Sequence, residues 1–136
     1  MNKHLTLLLF IGLACDSPEP IRPELKEIEY LSYKEPDKKK RYYNWVADVL
    51  YSGEISKSNL IKIVKHFDEA YPERCVVNIW SSKEAYYHNK ASNWSDTWRN
   101  GFLIHYSKNV ANNYNAIKWM QEVGTLSNLF GTQTNI

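Results

Sequence analysis

Around residue 52 the apolar residues change their period from two to that of a helix, and this change most restricts what the chain can become. From Tyr42 to Tyr51 they fall on odd positions (Tyr43, Trp45, Ala47, Val49, Tyr51), with Asn44 and Asp48 between them. A period of two is a strand buried on one face. Ser52-Gly53-Glu54 breaks it, and Ser56 then offers a helix N-cap. Leu60, Ile63, Val64, Phe67 and Tyr71 recur at helical spacing through about Ala70, before Pro72 closes the helix.

The flanking sequence supplies further strands. Ile28 to Lys34 reads as a short strand ending in the turn Glu35-Pro36-Asp37, and Arg74 to Ser81 is a strongly apolar one. Gly101 to Ser107 is another, and one or two short helical turns are expected between Lys83 and Asn100. Asn112 or Asn113 is suited to cap a last helix, Tyr114 to Val123, with Gly124 in the C′ position. The order β-β-α-β-β-α predicts an α+β domain over residues 27–136. Its expected form is a mainly antiparallel sheet of about four strands with two or more helices packed on one face.

The chain starts MNKHLTLLLFIGLAC, with Lys3 and His4 ahead of an apolar run from Leu5 to Ala14 that only Thr6 interrupts. A basic start, an apolar run and small residues before a cut are the parts of a signal peptide. As a helix the run is about 15 Å long, half of a ~30 Å hydrocarbon core, so it is too short to span a bilayer. The segment resembles the signal peptides of bacterial lipoproteins, with Ala14 and Cys15 where a small residue and the modified cysteine belong. Gly12 and Leu13 stand in the reverse of the usual order, and Gly12-Leu13-Ala14 also fits an ordinary secretory cleavage site. The resemblance implies that residues 1–14 are removed and that Cys15 carries the lipid. Residues 15–26, with Pro18, Pro20 and Pro23, read as an extended spacer at about 3.1 Å per residue.

Composition adds mainly exclusions. A net charge of +2, less one when Lys3 is cut away, sets up no field that points to nucleic acid. Of the two cysteines, Cys75 lies in an apolar run and reads as a buried thiol. It is unpaired if Cys15 is lipidated and could bridge to it if the chain is merely secreted. Five glycines, with no phosphate loop, C-x-x-C, H-E-x-x-H or G-x-S-x-G, give no reason to expect a cofactor, a metal or a named catalytic motif.

Candidate site residues come from strand alternation. If Val77, Ile79 and Ile104 face the helices, then Asn78, Trp80, His105, Asn44 and Asp48 share the other sheet face. That face is a candidate surface for a ligand or partner, although antiparallel sheets commonly leave one face to solvent. The same alternation puts Cys75 on the core side, away from His105. His66 reads as solvated on its helix, and His88 as a surface imidazole in a loop. Trp94 and Trp98, four apart, are expected to pair and pack onto the sheet. Lys38-Lys39-Lys40-Arg41 reads as a solvated turn that could also touch anionic head groups.

Three functions fit. The first is a lipid-anchored, non-catalytic binding or structural module of the cell envelope, with a protein or glycan partner. The second is an immunity-type lipoprotein that neutralises a toxin, although the charge usual in such inhibitors is missing. The third is a small envelope enzyme using His105, which needs a polar group about 3 Å from the imidazole and a concave pocket.

Overall fold

The structure, a computed structural model, describes residues 20–36 and 44–136. The expected signal peptide of residues 1–14, Cys15 and the basic run Lys38–Arg41 lie outside the described residues. The sheet has six strands in the order β1-β2-β3-β4-β5-β6. These are β1 Ile28–Lys34, β2 Trp45–Tyr51, β3 Arg74–Trp80, β4 Phe102–Asn109, β5 Tyr114–Trp119 and β6 Gln133–Asn135. β2 and β3 are parallel, and every other neighbouring pair is antiparallel. A parallel pair needs a crossover, and helix α1, Lys57–Ala70, supplies it.

α1 begins where Ser56 Oγ accepts the Asn59 N–H at 3.1 Å, a cap worth about 1 kcal/mol. Its buried face, Leu60, Ile63, Val64 and Phe67, meets Ala47, Val49, Val77, Ile79, Ile104, Tyr106, Ile117 and Trp119. Cys75 is buried in this core as a free thiol, and burial pushes it up to about 12. One polar tie clamps α1 to the sheet. Lys108 Nζ meets Asp68 Oδ1 at 2.6 Å, Asn115 Nδ2 donates to the same oxygen at 2.8 Å, and Tyr106 Oη donates to Asn115 Oδ1 at 2.8 Å.

Burial opposes the Asp68 charge, but the bonds from Lys108 and Asn115 and the attraction of Lys108 outweigh it and lower its pKa. The Asp68 stabilisation is therefore present above the ordinary carboxyl value near 4 and is lost as pH falls through the lowered one. Asp68→Asn is expected to lower stability by about 2 kcal/mol at pH 7. The gap from wild type should close in thermal melts taken toward pH 2; a gap of constant size would contradict the assignment.

Three expectations are corrected. The sheet has six strands, not about four, because the expected last helix is strand β5 and the C-terminal Gln133–Asn135 adds β6. Neither Asn112 nor Asn113 opens a helix; Asn113 closes the 3-10 turn Val110–Asn112. It sits at φ 54, in the left-handed region that Asn tolerates, and turns the chain back from β4 to β5. Asn115, Ile117 and Trp119 then point to the main core side and Lys118 to the other. Nor do the helices share one face. α2, Lys83–Lys90, and α3, Asp96–Gly101, cover one end of the opposite face. There Ala85 and Tyr86 bury Trp80 and Phe102 in a second cluster with Leu31, Trp98 and Met120 at its edge.

The described part of the expected spacer is seated on the domain. The Arg22 guanidinium lies 4.2 Å from the Tyr30 ring centroid and 5.1 Å from that of Tyr33. Tyr30 Oη donates to the Pro23 carbonyl, and Leu25 packs against the main core. No helix among the described residues is long and apolar enough to cross a membrane.

Candidate functional site

On the sheet face opposite α1, one residue from each strand falls into a single row. The register pairs Ser32 with Asp48, Asp48 with Asn78, Asn78 with His105, His105 with Lys118, and Lys118 with Gln133. Strand alternation fixes Asp48, Asn78 and His105 there. A bulge between Tyr30 and Ser32 shifts the phase of β1 and brings Ser32 onto the row.

The first four members are hydrogen-bonded in sequence. Asp48 Oδ2 accepts from Ser32 Oγ at 2.8 Å. Asp48 Oδ1 accepts from Asn78 Nδ2 at 3.2 Å and from Trp80 Nε1 at 2.9 Å. His105 Nδ1 lies 2.7 Å from Asn78 Oδ1. The chemistry of these groups sets the direction of the chain. A carboxylate only accepts, so Asn78 must turn its NH2 toward Asp48 and its carbonyl oxygen toward His105. A carbonyl oxygen only accepts, so Nδ1 of His105 carries the proton. Nε2 is left with a bare lone pair.

Partial burial lowers the His105 pKa, the charge of Lys118 across the strand lowers it further, and Asp48 opposes both. The net direction is down, which favours the neutral ring at pH 7. His105 thus presents a fixed, uncharged acceptor beside the exposed Lys118. Such a group can accept a hydrogen bond from a partner, take a proton as a base, or coordinate.

The expected surface residues divide. Asp48, Asn78 and His105 come together as expected. Trp80 joins them through its indole N–H, but its ring is 0% exposed beneath α2, stacked on Phe102 with centroids 4.3 Å apart. It supports the row from below and offers no surface. Asn44 lies just ahead of β2, exposed, with no hydrogen bond to the others. Cys75 and His105 lie on opposite faces, which rules out a nucleophile–base pair between them. Ser32, Lys118 and Gln133 were not anticipated. Only the bulge and the true identity of β5 and β6 bring them in.

Other sequence candidates fall elsewhere. His66 is exposed on α1, as expected. It borders a cleft of about 390 Å³ lined by Leu25, Tyr51, Gly53 and Ile63, among others, that contains no member of the row. His88 is on helix α2 and not in a loop, its Nδ1 2.6 Å from Ser95 Oγ. Trp94 and Trp98 do pair, edge to face at 4.9 Å, but Trp94 remains 52% exposed. Among the described residues, no group of three or more His, Cys, Asp or Glu side chains could hold a metal ion.

The fold and the row define an α+β domain with a six-stranded mixed sheet and a polar ladder on one face. No family model, no curated protein and no solved structure matches the chain.

Proposed function

We propose that the protein is a lipid-anchored, non-catalytic binding module of the bacterial cell envelope that engages its partner through the sheet face around His105. The observation that carries the binding half is the oriented chain Ser32–Asp48–Asn78–His105, which holds one acceptor in one tautomer before any partner arrives. Preorganisation of this kind removes part of the ordering penalty of association. Lys118 beside it favours a partner that brings a donor to Nε2 and negative charge to the ammonium.

The anchoring half rests on the segment Met1–Cys15 and its resemblance to lipoprotein signals. With Arg22 seated on Tyr30, little chain separates Cys15 from the domain. The six residues 16–21 between Cys15 and Arg22 reach at most about 22 Å, which would keep the domain close to the lipid surface. Stable attachment needs two or more acyl chains, at about 0.8 kcal/mol per buried methylene.

Two readouts test the halves separately. Metabolic labelling with a fatty acid should mark the wild type and not Cys15→Ser; an unlabelled wild type would reduce the protein to a secreted one. Capture from an envelope extract should retain a component that His105→Ala and Lys118→Glu each weaken by about tenfold or more. Retention unchanged in both variants would overturn the assignment of the sheet face.

A further inference from the structure

β3 and β4 are antiparallel neighbours with Trp80 opposite Phe102, so a turn of two residues would join them. The chain instead inserts Ser81–Gly101, closed at its base by the Ser81 N–H to Gly101 carbonyl bond of 2.9 Å. This insertion is built to be rigid. Gly101 sits so close to α2 that a Cβ there would come within 2.3 Å of the Ala85 Cβ. Trp98 donates from Nε1 to Asn89 Oδ1 at 3.1 Å and stacks on Phe102.

The outer end of the insertion is Ser92-Asn93-Trp94. Ser92 has φ 53, a conformation that ordinary L residues enter only at a penalty and that often accompanies function. The turn is held by Ser92 N–H to the Asn89 carbonyl and Asn93 N–H to the His88 carbonyl. It delivers Trp94 to the surface with its ring braced on Trp98. The side chains of Ser92 and Asn93 are exposed and have no hydrogen-bond partner among the described residues.

The charges around this tip are already engaged. Lys83 pairs with Glu29 at 3.3 Å, Arg99 binds both Asp96 and Glu122, and Glu84 lies 3.8 Å from the His88 ring, an ion pair only when that imidazole is protonated. Lys90 lies over the Tyr86 ring at 5.6 Å. Little unpaired charge is left to attract an anionic bilayer or a nucleic acid. One braced indole in a polar rim is also far short of the roughly 800 Å² per partner of a stable protein interface.

We propose that Ser92-Asn93-Trp94 binds a neutral glycan. The free face of the Trp94 indole takes the C–H face of a pyranose ring, while the Asn93 amide and Ser92 hydroxyl bond to its hydroxyl groups. The proposal depends neither on lipidation nor on the His105 face.

The test titrates the purified full chain with chitotriose and with maltotriose, following indole fluorescence and backbone amide shifts. At least one of the two should bind saturably and move the amides of residues 92–94. Trp94→Ala should weaken that binding by about tenfold and Asn93→Ala by about threefold. Trp94→Phe, which keeps an aromatic platform, should stay within about threefold of wild type and so excludes misfolding as the cause. Absence of any shift with both sugars at about 10 mM would overturn the proposal, as would full-strength binding by Trp94→Ala. Trp94-dependent sedimentation with phosphatidylcholine vesicles in the absence of sugar binding would replace the glycan by a lipid surface.

Discussion

Trp80→Ala is expected to lower stability by about 4 kcal/mol, a large share of the 5–15 kcal/mol that holds a domain of ordinary size together. Trp80 is the largest side chain of the second cluster, stacked on Phe102 and edge to face with Tyr86 at 5.9 Å. It is also the floor on which α2 and α3 rest, so its loss should loosen the whole insertion. Trp80→Phe keeps an aromatic ring against Phe102 but removes the indole donor to Asp48 and part of the buried ring volume. Its expected loss is about 1–2 kcal/mol. Urea denaturation of the two variants checks this. Equal losses would mean that the hydrogen bond, and not the packing, dominates at this position.

The second large effect is expected at Asp48. Its carboxylate takes Ser32, Asn78 and Trp80 together, and the Trp80 side chain is entirely buried. Asp48→Ala strands that indole N–H without an acceptor and frees the Asn78 amide to turn over. An expected loss of about 3 kcal/mol follows from one buried orphan donor plus the hydrogen bonds given up. Asp48→Asn should lose about 1 kcal/mol, because its one carbonyl oxygen can serve both Asn78 and Trp80 while its NH2 donates to Ser32 Oγ. Asp48→Ala combined with Trp80→Phe should lose less than the sum of the two, since both remove the same bond. Strict additivity in a double-mutant cycle would contradict the network.

Much of this was legible in the sequence, and the failures have physical causes. β1, β3 and α1 with its Ser56 cap follow from apolar period and capping chemistry, which are local. The grouping of Asp48, Asn78 and His105 was legible because three strands each keep an unbroken alternation through those residues. β5 was misread because Asn serves equally as a helix cap and as a left-handed turn residue, and Asn113 takes the second role. Ala116, Met120 and Val123 also fall at the i, i+4, i+7 spacing of an apolar helix face. β6 consists of the polar residues Gln133-Thr134-Asn135, which carry almost no strand signal. The burial of Trp80 was not legible, since its covering comes from an insertion whose docking is tertiary. Ser32 reaches the row through a bulge, and a bulge leaves no mark on a period-two reading.

The network also sets a pH dependence. Because the His105 pKa is depressed in the fold, the unfolded chain takes up this proton first. Acidification through the ordinary histidine value near 6.5 therefore destabilises the domain, while the folded ring keeps its Nε2 lone pair until the pH falls through its own lowered pKa.

The central claim is that Asp48, acting through Asn78, fixes His105 as the neutral Nδ1–H tautomer with Nε2 bare on the open sheet face. Long-range ¹⁵N–¹H correlation spectra of the imidazole at pH 7 test it most directly. Nδ1 should be protonated and Nε2 unprotonated in wild type, with a mixture of tautomers in Asp48→Ala. An Nε2–H tautomer or an imidazolium in wild type would contradict it.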